Sequence, residues 1–461
     1  MKKMTSLTGI LVLVFGLVFI GCDARNGGAL KPVTPGYSYG DGDSDVYIVG
    51  STSNAYGANT YCYWKNGVKT DLPFPDGKTN GHANDLVVSS NGDVYVSGDY
   101  YFGNGDTSRM VCYWKNGDRT DLPFPAKAKN WDISNIAVAP NGDVYIAGTY
   151  DLYHEELEGN GYVGTWDNGI LRAYTSVACY WKNGVRTDLT APVGIRIWEV
   201  GNIAVASNGD VYISGSYSNG DTSPVCYWKN DVRTDLPIPV GTQGRAIRLA
   251  VNSNGDVCIV GRFMPDAAYA SIDCYWKNGV RTDLSVPYAD DSIAPRTNGT
   301  MDIAVSSDGD VHIIGNYDYY WGGDALSSTA YYWKNGVRTD LPLPAGTDRD
   351  LCGIAVAPNG DVYIAGSYQL KPWPGSWEGN TTTRPTACYW KNGVRTDLPL
   401  PDGKTNGHAN GLAVSSNGDV YVSGDYYFSN GDTPRMACYW KNDVRTDLAA
   451  NFSVISIAVL P

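Results

Sequence analysis

Aromatic side chains concentrate in three segments that do not repeat along the chain: Tyr150 to Val177, with Tyr153, His154, Trp166 and Tyr174; Tyr317-Asp318-Tyr319-Tyr320-Trp321; and Trp373-Pro374-Gly375-Ser376-Trp377. Flat rings of this kind stack on sugars or anchor a protein partner. They also pack on one another to order long loops, and the sequence leaves both readings open. Catalytic signatures are scarce. The chain has four His, two of which, His82 and His408, are copies in duplicated segments, so no His-rich metal centre is expected. Gly-x-Ser-x-Gly is absent. Asp41-Gly42-Asp43-Ser44-Asp45 spaces its carboxylates as a calcium loop does. It lacks the glycine at the sixth position and the downstream Glu of an EF-hand, so it reads as an acidic linker. Loop carboxylates that meet in space would suit glycoside cleavage, which keeps a polysaccharide-cleaving enzyme in play.

The elements that position these segments are set by repetition. Trp64, Trp114, Trp181, Trp228, Trp276, Trp333, Trp390 and Trp440 recur in a Cys-Tyr-Trp-Lys-Asn block, in strict alternation with an Asp-Val block such as Asn91-Gly92-Asp93-Val94-Tyr95. A third element, Ile-Ala-Val or a variant, lies eight residues ahead of the Asp-Val valine, starting at Leu86, Ile136, Ile203, Leu249, Ile303, Ile354 and Leu412. Each short block alternates faces with period two and is rich in β-branched or aromatic residues, the strand signature. Asn-Gly between strands predicts a type I′ hairpin, both after Ile-Ala-Val (Pro140-Asn141-Gly142-Asp143) and after the Trp block (Lys115-Asn116-Gly117). Asp231 and Asp443 replace the second glycine in two copies at a modest conformational cost. Each unit is therefore four strands: A (Ile-Ala-Val), B (Asp-Val-Tyr), C (Cys-Tyr-Trp-Lys) and D (Val-Arg-Thr-Asp-Leu).

Four-stranded units of roughly 50 residues predict an all-β fold, an eight-bladed β-propeller with four antiparallel strands per blade, over residues 45–461. The repeats open on a strand B at Asp45 and close on a strand A at Ile457-Ala458-Val459. One composite blade, made of N-terminal strands B–D and the C-terminal strand A, would close the ring and leave no free radial edge. The strand-B block resembles the Asn-Gly-Asp-Val-Tyr-Val-x-Gly pattern of bacterial propeller repeats of the NHL and related types. That resemblance implies a fold and no particular reaction.

On such a ring the A–B and C–D turns share one face, and these are uniform in length. The B–C and D–A loops share the other. There the spacing from the strand-B Val to the strand-C Trp runs from 17 (Val211 to Trp228) to 37 (Val144 to Trp181). Variable loops on a rigid scaffold are where binding concentrates. The ligand-binding candidates are therefore Tyr153, Trp166, Tyr174, Tyr319, Tyr320, Trp321, Trp373 and Trp377. Thr165-Trp166-Asp167-Asn168-Gly169-Ile170 echoes the C–D hairpin and predicts an extra hairpin above that face. Residues just before strand A should line the channel mouth: Asp85, Asn135, Asn202, Arg248, Asp302, Gly353, Gly411 and Ser456. The eight repeated Trp read as core between blades. Arg and Asp of strand D share a face on the outermost strand, where charge protects an edge. Seven of the ten Cys share one repeat slot, too far apart to bridge and suited to burial as free thiols. Cys258 and Cys352 lie outside that slot, and a bridge between them is open.

The N-terminus reads as a separate object. Lys2, Lys3 and an apolar run from Ile10 to Ile20 have the layout of an export signal over residues 1–21. Phe19-Ile20-Gly21-Cys22 resembles the lipobox of bacterial lipoproteins, with the looseness of spirochaete examples, which implies lipidation at Cys22 and residence in the cell envelope, periplasmic or at the surface. Residues 22–44 are rich in Gly, Pro, Ser and Asp and read as a flexible tether. A net charge of -13 with no basic run argues against nucleic acid. Residues 62–122 and 388–448 align without gaps and differ at nine positions, so loops were copied together with strands. Catalysis needs singular residues and binding tolerates repeated ones. The expectation is a monomeric scaffold, without cofactor or metal and reaching the membrane only through its lipid, that binds a protein or glycan. The alternative is a polysaccharide hydrolase or lyase.

Overall fold

The computed structural model describes residues 44–460 apart from 54–58, 76–80, 104–105, 126–127, 155–163, 168–169, 190–195, 219–221, 265–270, 285–294, 297–301, 322–323, 345–346, 371–384, 403, 405 and 428–434. The described residues form eight antiparallel sheets in chain order, each with strands A to D laid side by side. The innermost strands are Gly81–Val88, Ala128–Val138, Arg196–Val205, Gln243–Val251, Asp302–Val305, Thr347–Val356, Gly407–Val414 and Ser453–Leu460, and each packs on the strand A of the next blade. Blade 1 is the composite one. Asp45–Ser53 pairs with Ser453–Leu460, matching Asp45 to Leu460 and Ile48 to Ile457. No helix appears among the described residues, and none is long and apolar enough to cross a membrane.

The uniform face is held by one device repeated around the ring. In blade 2, Asn116 of the C–D turn accepts from Val94 N at 2.8 Å and donates Nδ2 to Asp93 at 2.8 Å. Lys115 Nζ pairs with the same carboxylate at 2.8 Å and lies 5.4 Å from the centre of the Tyr95 ring. The Lys-Asn of one block and the Asp-Val-Tyr of the other are thus the two halves of a staple, which explains why they alternate. The turn asparagines and the following residue sit at positive φ, as with Asn116 at 52° and Gly117 at 96°, the type I′ pattern. Asp231 and Asp443 hold φ 69° in the glycine slot. The previous blade compensates: Tyr180 donates to Asp231 at 3.4 Å. Type I′ fails at the A–B turn. Only its glycine is at positive φ (Gly142, 88°), with Gly142 N bonded to Ala139 O and Ala139 N to Asp143 O. This is a type I turn with a glycine bulge. In blades 3 and 7 proline precedes the asparagine, and its ring forbids the positive φ that type I′ needs there.

Between blades the eight Trp are buried, none more than 2 % exposed. In five of them indole Nε1 donates to the proline carbonyl that follows strand D of the preceding blade: Trp114 to Pro73 (3.0 Å), Trp181 to Pro123 (3.1 Å), Trp276 to Pro237 (2.9 Å), Trp390 to Pro342 (3.2 Å) and Trp440 to Pro399 (2.8 Å). All eight fill a core, and these five also tie neighbouring sheets together. The strand-B glycine opposite has no room for more: a Cβ at Gly98 would strike the Trp114 ring and the His82 carbonyl. The described cysteines of the repeat slot are buried thiols, and Cys258 and Cys352 form no disulfide with each other. The Arg-Thr-Asp run does more than protect an edge. Arg119 pairs with Asp121 at 2.8 Å, Tyr100 of strand B donates to that carboxylate at 3.1 Å, and the guanidinium lies 5.3 Å from the Tyr100 ring centre.

Candidate functional site

Strand A is longer than its Ile-Ala-Val signature, which moves the expected channel-mouth residues inward. Asp85, Asn135, Asn202 and Arg248 lie in the middle of their strands, just after a bulge (between Ala83 and Asp85, for example). The inner edge of strand A has no strand beside it, so its N–H groups need other partners. Side chains at this level supply them. Asp85 accepts from Leu86 N at 2.8 Å, Asn135 from Ile136 N at 2.7 Å, and Asp302 from Ile303 N at 2.9 Å and from Ile354 N of the next blade at 3.2 Å. Ser456 donates to Asp85 at 3.4 Å across the composite blade. Burial outweighs these bonds and pushes the Asp85 carboxyl up to about 7 and that of Asp302 to about 6. Asp85, Asn135 and Asp302 thus cap the inner edge.

A second ring lies three residues earlier on strand A, nearer the variable face: His82, Asp132, Glu199, Arg245, Asp350, His408 and Ser453. Each pairs in register with a strand-B residue, His82 with Asp99 and His408 with Asp425. The sequence reading missed this tier because it follows no repeat; counting back three residues from the channel positions would have found it. Arg245 forms a bidentate pair with Glu199 of the previous blade, with both contacts at 2.5 Å. Solvent reaches Asp132 and Asp350. Surrounding protein nevertheless pushes both carboxyls upward, which fits a concave mouth.

The two duplicated segments each add a cluster to this ring. In blade 2 the fully buried Asp99 carboxylate receives His82 Nδ1 at 3.1 Å and Arg109 Nη2 at 2.5 Å, while Arg109 also faces Asp132 at 3.7 Å. These partners prevail over burial and hold Asp99 below the usual carboxylate range. The Tyr101 ring meets His82 edge-on, centres 6.0 Å apart. In blade 8, Arg435 donates instead to Tyr427 Oη and Ser453 Oγ, both at 2.7 Å, and stands 3.7 Å from Asp425. Asn410 donates to Asp425 at 3.1 Å. Here burial wins: it raises Asp425 and lowers His408.

The expected aromatic candidates are only partly placed. Tyr153 and Tyr174 face each other in register on the hairpin of Val144–His154 and Ile170–Lys182. Trp166 lies on Gly164–Asp167, which pairs back on Ile170 to Ala173, so the extra hairpin is present. Tyr319, Tyr320 and Trp321 are not in a loop. They prolong strand B (Val311–Trp321) against Asp324–Lys334, with a register shift between Tyr319 and Tyr320. The side chains of these six, together with Trp373, Trp377 and Cys22, lie outside the described residues. Among the described residues no group of three or more His, Cys, Asp or Glu is arranged to hold a metal.

No family model matches the chain, and no characterised protein matches it in sequence. Among solved structures it resembles the polysaccharide lyase Uly1, at 14% identity over 83% of this chain and 93% of that one, TM-score 0.43. A eukaryotic initiation factor overlaps at 9% identity over 91% and 99%, TM-score 0.41. An ulvan lyase of family PL25 overlaps at 10% identity over 80% and 85%, TM-score 0.39. Overlaps this loose carry nothing about chemistry.

Proposed function

We propose that this protein is an exported binding module, held to the cell envelope through Cys22, that takes a glycan or protein partner on the face from which its B–C and D–A loops emerge. The observation that carries this reading is the contrast between faces. One is spent on repeats of a single Lys-Asn-Asp staple, whereas the other gathers the titratable ring, the twin His-Asp-Arg-Tyr clusters and the irregular hairpins. Alanine at Trp321, Trp373 and Trp377, read on a glycan array and against candidate envelope proteins, should abolish binding while thermal unfolding stays put. Retained binding in all three variants would remove the aromatic part of the reading. Fatty-acid labelling in the native host tests the anchor, and an unlabelled mature protein removes it.

A second reading, a polysaccharide lyase, is favoured by the blade 2 cluster. With Nδ1–H donated to Asp99, Nε2 is the basic nitrogen of His82, beside a tyrosine and an arginine. That is the equipment for removing a proton next to a carboxylate. The check is ultraviolet absorbance from unsaturated uronate with uronate-containing polysaccharides. Sustained turnover that disappears in His82→Ala would replace the scaffold reading.

A further inference from the structure

Arg248 and Asn202 stand out among the channel residues because the partners that satisfy their counterparts are missing. They occupy the same register in neighbouring blades, Arg248 opposite Val260 and Asn202 opposite Ser214, and their inner strands pack together. Asn202 is 0 % exposed, yet neither its amide oxygen nor its nitrogen has a partner, and the same holds for the Ser214 hydroxyl beneath it. The buried Arg248 Nε has none either; its one hydrogen bond runs from Nη1 to Ile247 O at 3.0 Å. No carboxylate among the described residues comes within ion-pair distance of Arg248. Glu199 is paired with Arg245, and Asp85 and Asp302 accept from backbone N–H groups, so all three act on Arg248 only through longer-range attraction. Buried polar atoms are nearly always paired, and leaving several together without partners is costly.

We propose that a small oxyanion carrying a hydroxyl group, of the hydrogen phosphate or bicarbonate type, binds at the axis between blades 4 and 5, against Arg248 and Asn202. Arg248 Nε, Asn202 Nδ2 and Ser214 Oγ supply three donors. Asn202 Oδ1 accepts from the hydroxyl of the anion, which sets this ligand apart from sulfate or chloride, neither of which has a proton to give at neutral pH. The side chains at this level on blades 2 and 6, Asp85 and Asp302, hydrogen-bond toward the following blade. Asn202 makes no such bond, and the blade that follows it round the ring is blade 5, which carries Arg248. The site is independent of the aromatic hairpins and of the reading proposed for them.

The test is calorimetric titration of the full mature chain with inorganic phosphate, bicarbonate, sulfate and chloride at fixed ionic strength, alongside crystals grown with and without phosphate. Saturable binding of phosphate or bicarbonate, at least tenfold tighter than sulfate, is expected. Arg248→Met should weaken it by tenfold or more, and Asn202→Leu should erase the preference over sulfate. Equal affinity for all four anions, or equal binding by wild type and Arg248→Met, overturns the proposal. Should the variants not fold, the wild-type crystals decide: tetrahedral density touching Arg248 and Asn202 supports it, and water alone there overturns it.

Discussion

Blades 2 and 8 carry the same four side chains, His82, Asp99, Tyr101 and Arg109 in one and His408, Asp425, Tyr427 and Arg435 in the other, yet the central carboxyls shift in opposite directions. The next blade round the ring makes the difference. Blade 3 offers Arg109 the Asp132 carboxylate, which leaves Nη2 on Asp99. Blade 1 offers Arg435 the Ser453 hydroxyl, which draws the guanidinium away. A copied segment therefore need not be a copied site, because one contact of each cluster, Asp132 or Ser453, belongs to a neighbour that was not copied with it.

Substitutions made in parallel in the two blades would break or sharpen this contrast. The largest effect should be a symmetric one. Trp114→Ala and Trp440→Ala each empty a buried slot and cut a bond to a proline carbonyl, at about 4 kcal/mol apiece by denaturant titration. A gap of more than ~1 kcal/mol between them would show that the scaffold, too, depends on its neighbours. Next comes the asymmetric pair. Asp99→Asn strips a buried ion pair of one partner and should cost about 3 kcal/mol at neutral pH, whereas Asp425→Asn should be close to neutral. The pH signs follow. A carboxyl lowered on folding stabilises above its unfolded value near 4 and loses that contribution as pH falls through its folded value. A raised one stabilises at low pH and loses its contribution as pH rises. Asp99 and Asp425 thus act in opposite directions, and the acid limbs of the stability curves of the two variants should diverge.

Position 85 gives a smaller contrast, since blade 8 has Gly411 there. Asp85, raised to about 7, should weaken the ring progressively between pH 4 and 7. Asp85→Asn, which copies what Asn135 does in blade 3, should then stabilise the protein at pH 8 by about 1–3 kcal/mol and leave it unchanged at pH 4. An equal gain at both values would mean that the carboxyl is not the cause. The smallest effect belongs to the turn. Asp443→Gly relieves a positive φ but loses the previous blade's Tyr389, so its net change should stay under about 1 kcal/mol. Gly117→Asp should cost more than that, because a Cβ at Gly117 sits 3.1 Å from Thr70 Cγ2.

Much of the fold was legible before any coordinates. The alternation of Trp and Asp-Val blocks carried the blade count, and the phase of the chain ends carried the composite blade, because hairpin signals and period-two alternation are local and recur in every unit. The face assignment followed from loop lengths alone. The A–B turn was misread because it is centred one residue earlier than Asn-Gly, on Pro140-Asn141 in blade 3, which leaves Gly142 as the bulge. Tyr319-Tyr320-Trp321 passed for a loop because length variation hides a strand that merely grows longer. The site was far less legible. The inner ring was named but placed too near the mouth, and the ring of His82, Asp132, Glu199, Arg245, Asp350 and His408 was not seen, since its members share a register and no residue type.

By itself, then, the sequence determined the strands, their order, the ring and which residues hold it together, since all of these rest on contacts between positions that repeat. Only the tertiary structure decided which carboxyls are paired, which are raised by burial, and which channel side chains keep buried polar atoms without a partner. Those properties arise at the seams between blades, where side chains far apart in the chain share one low-dielectric gap, and a difference of one neighbour reverses the balance between burial and charge.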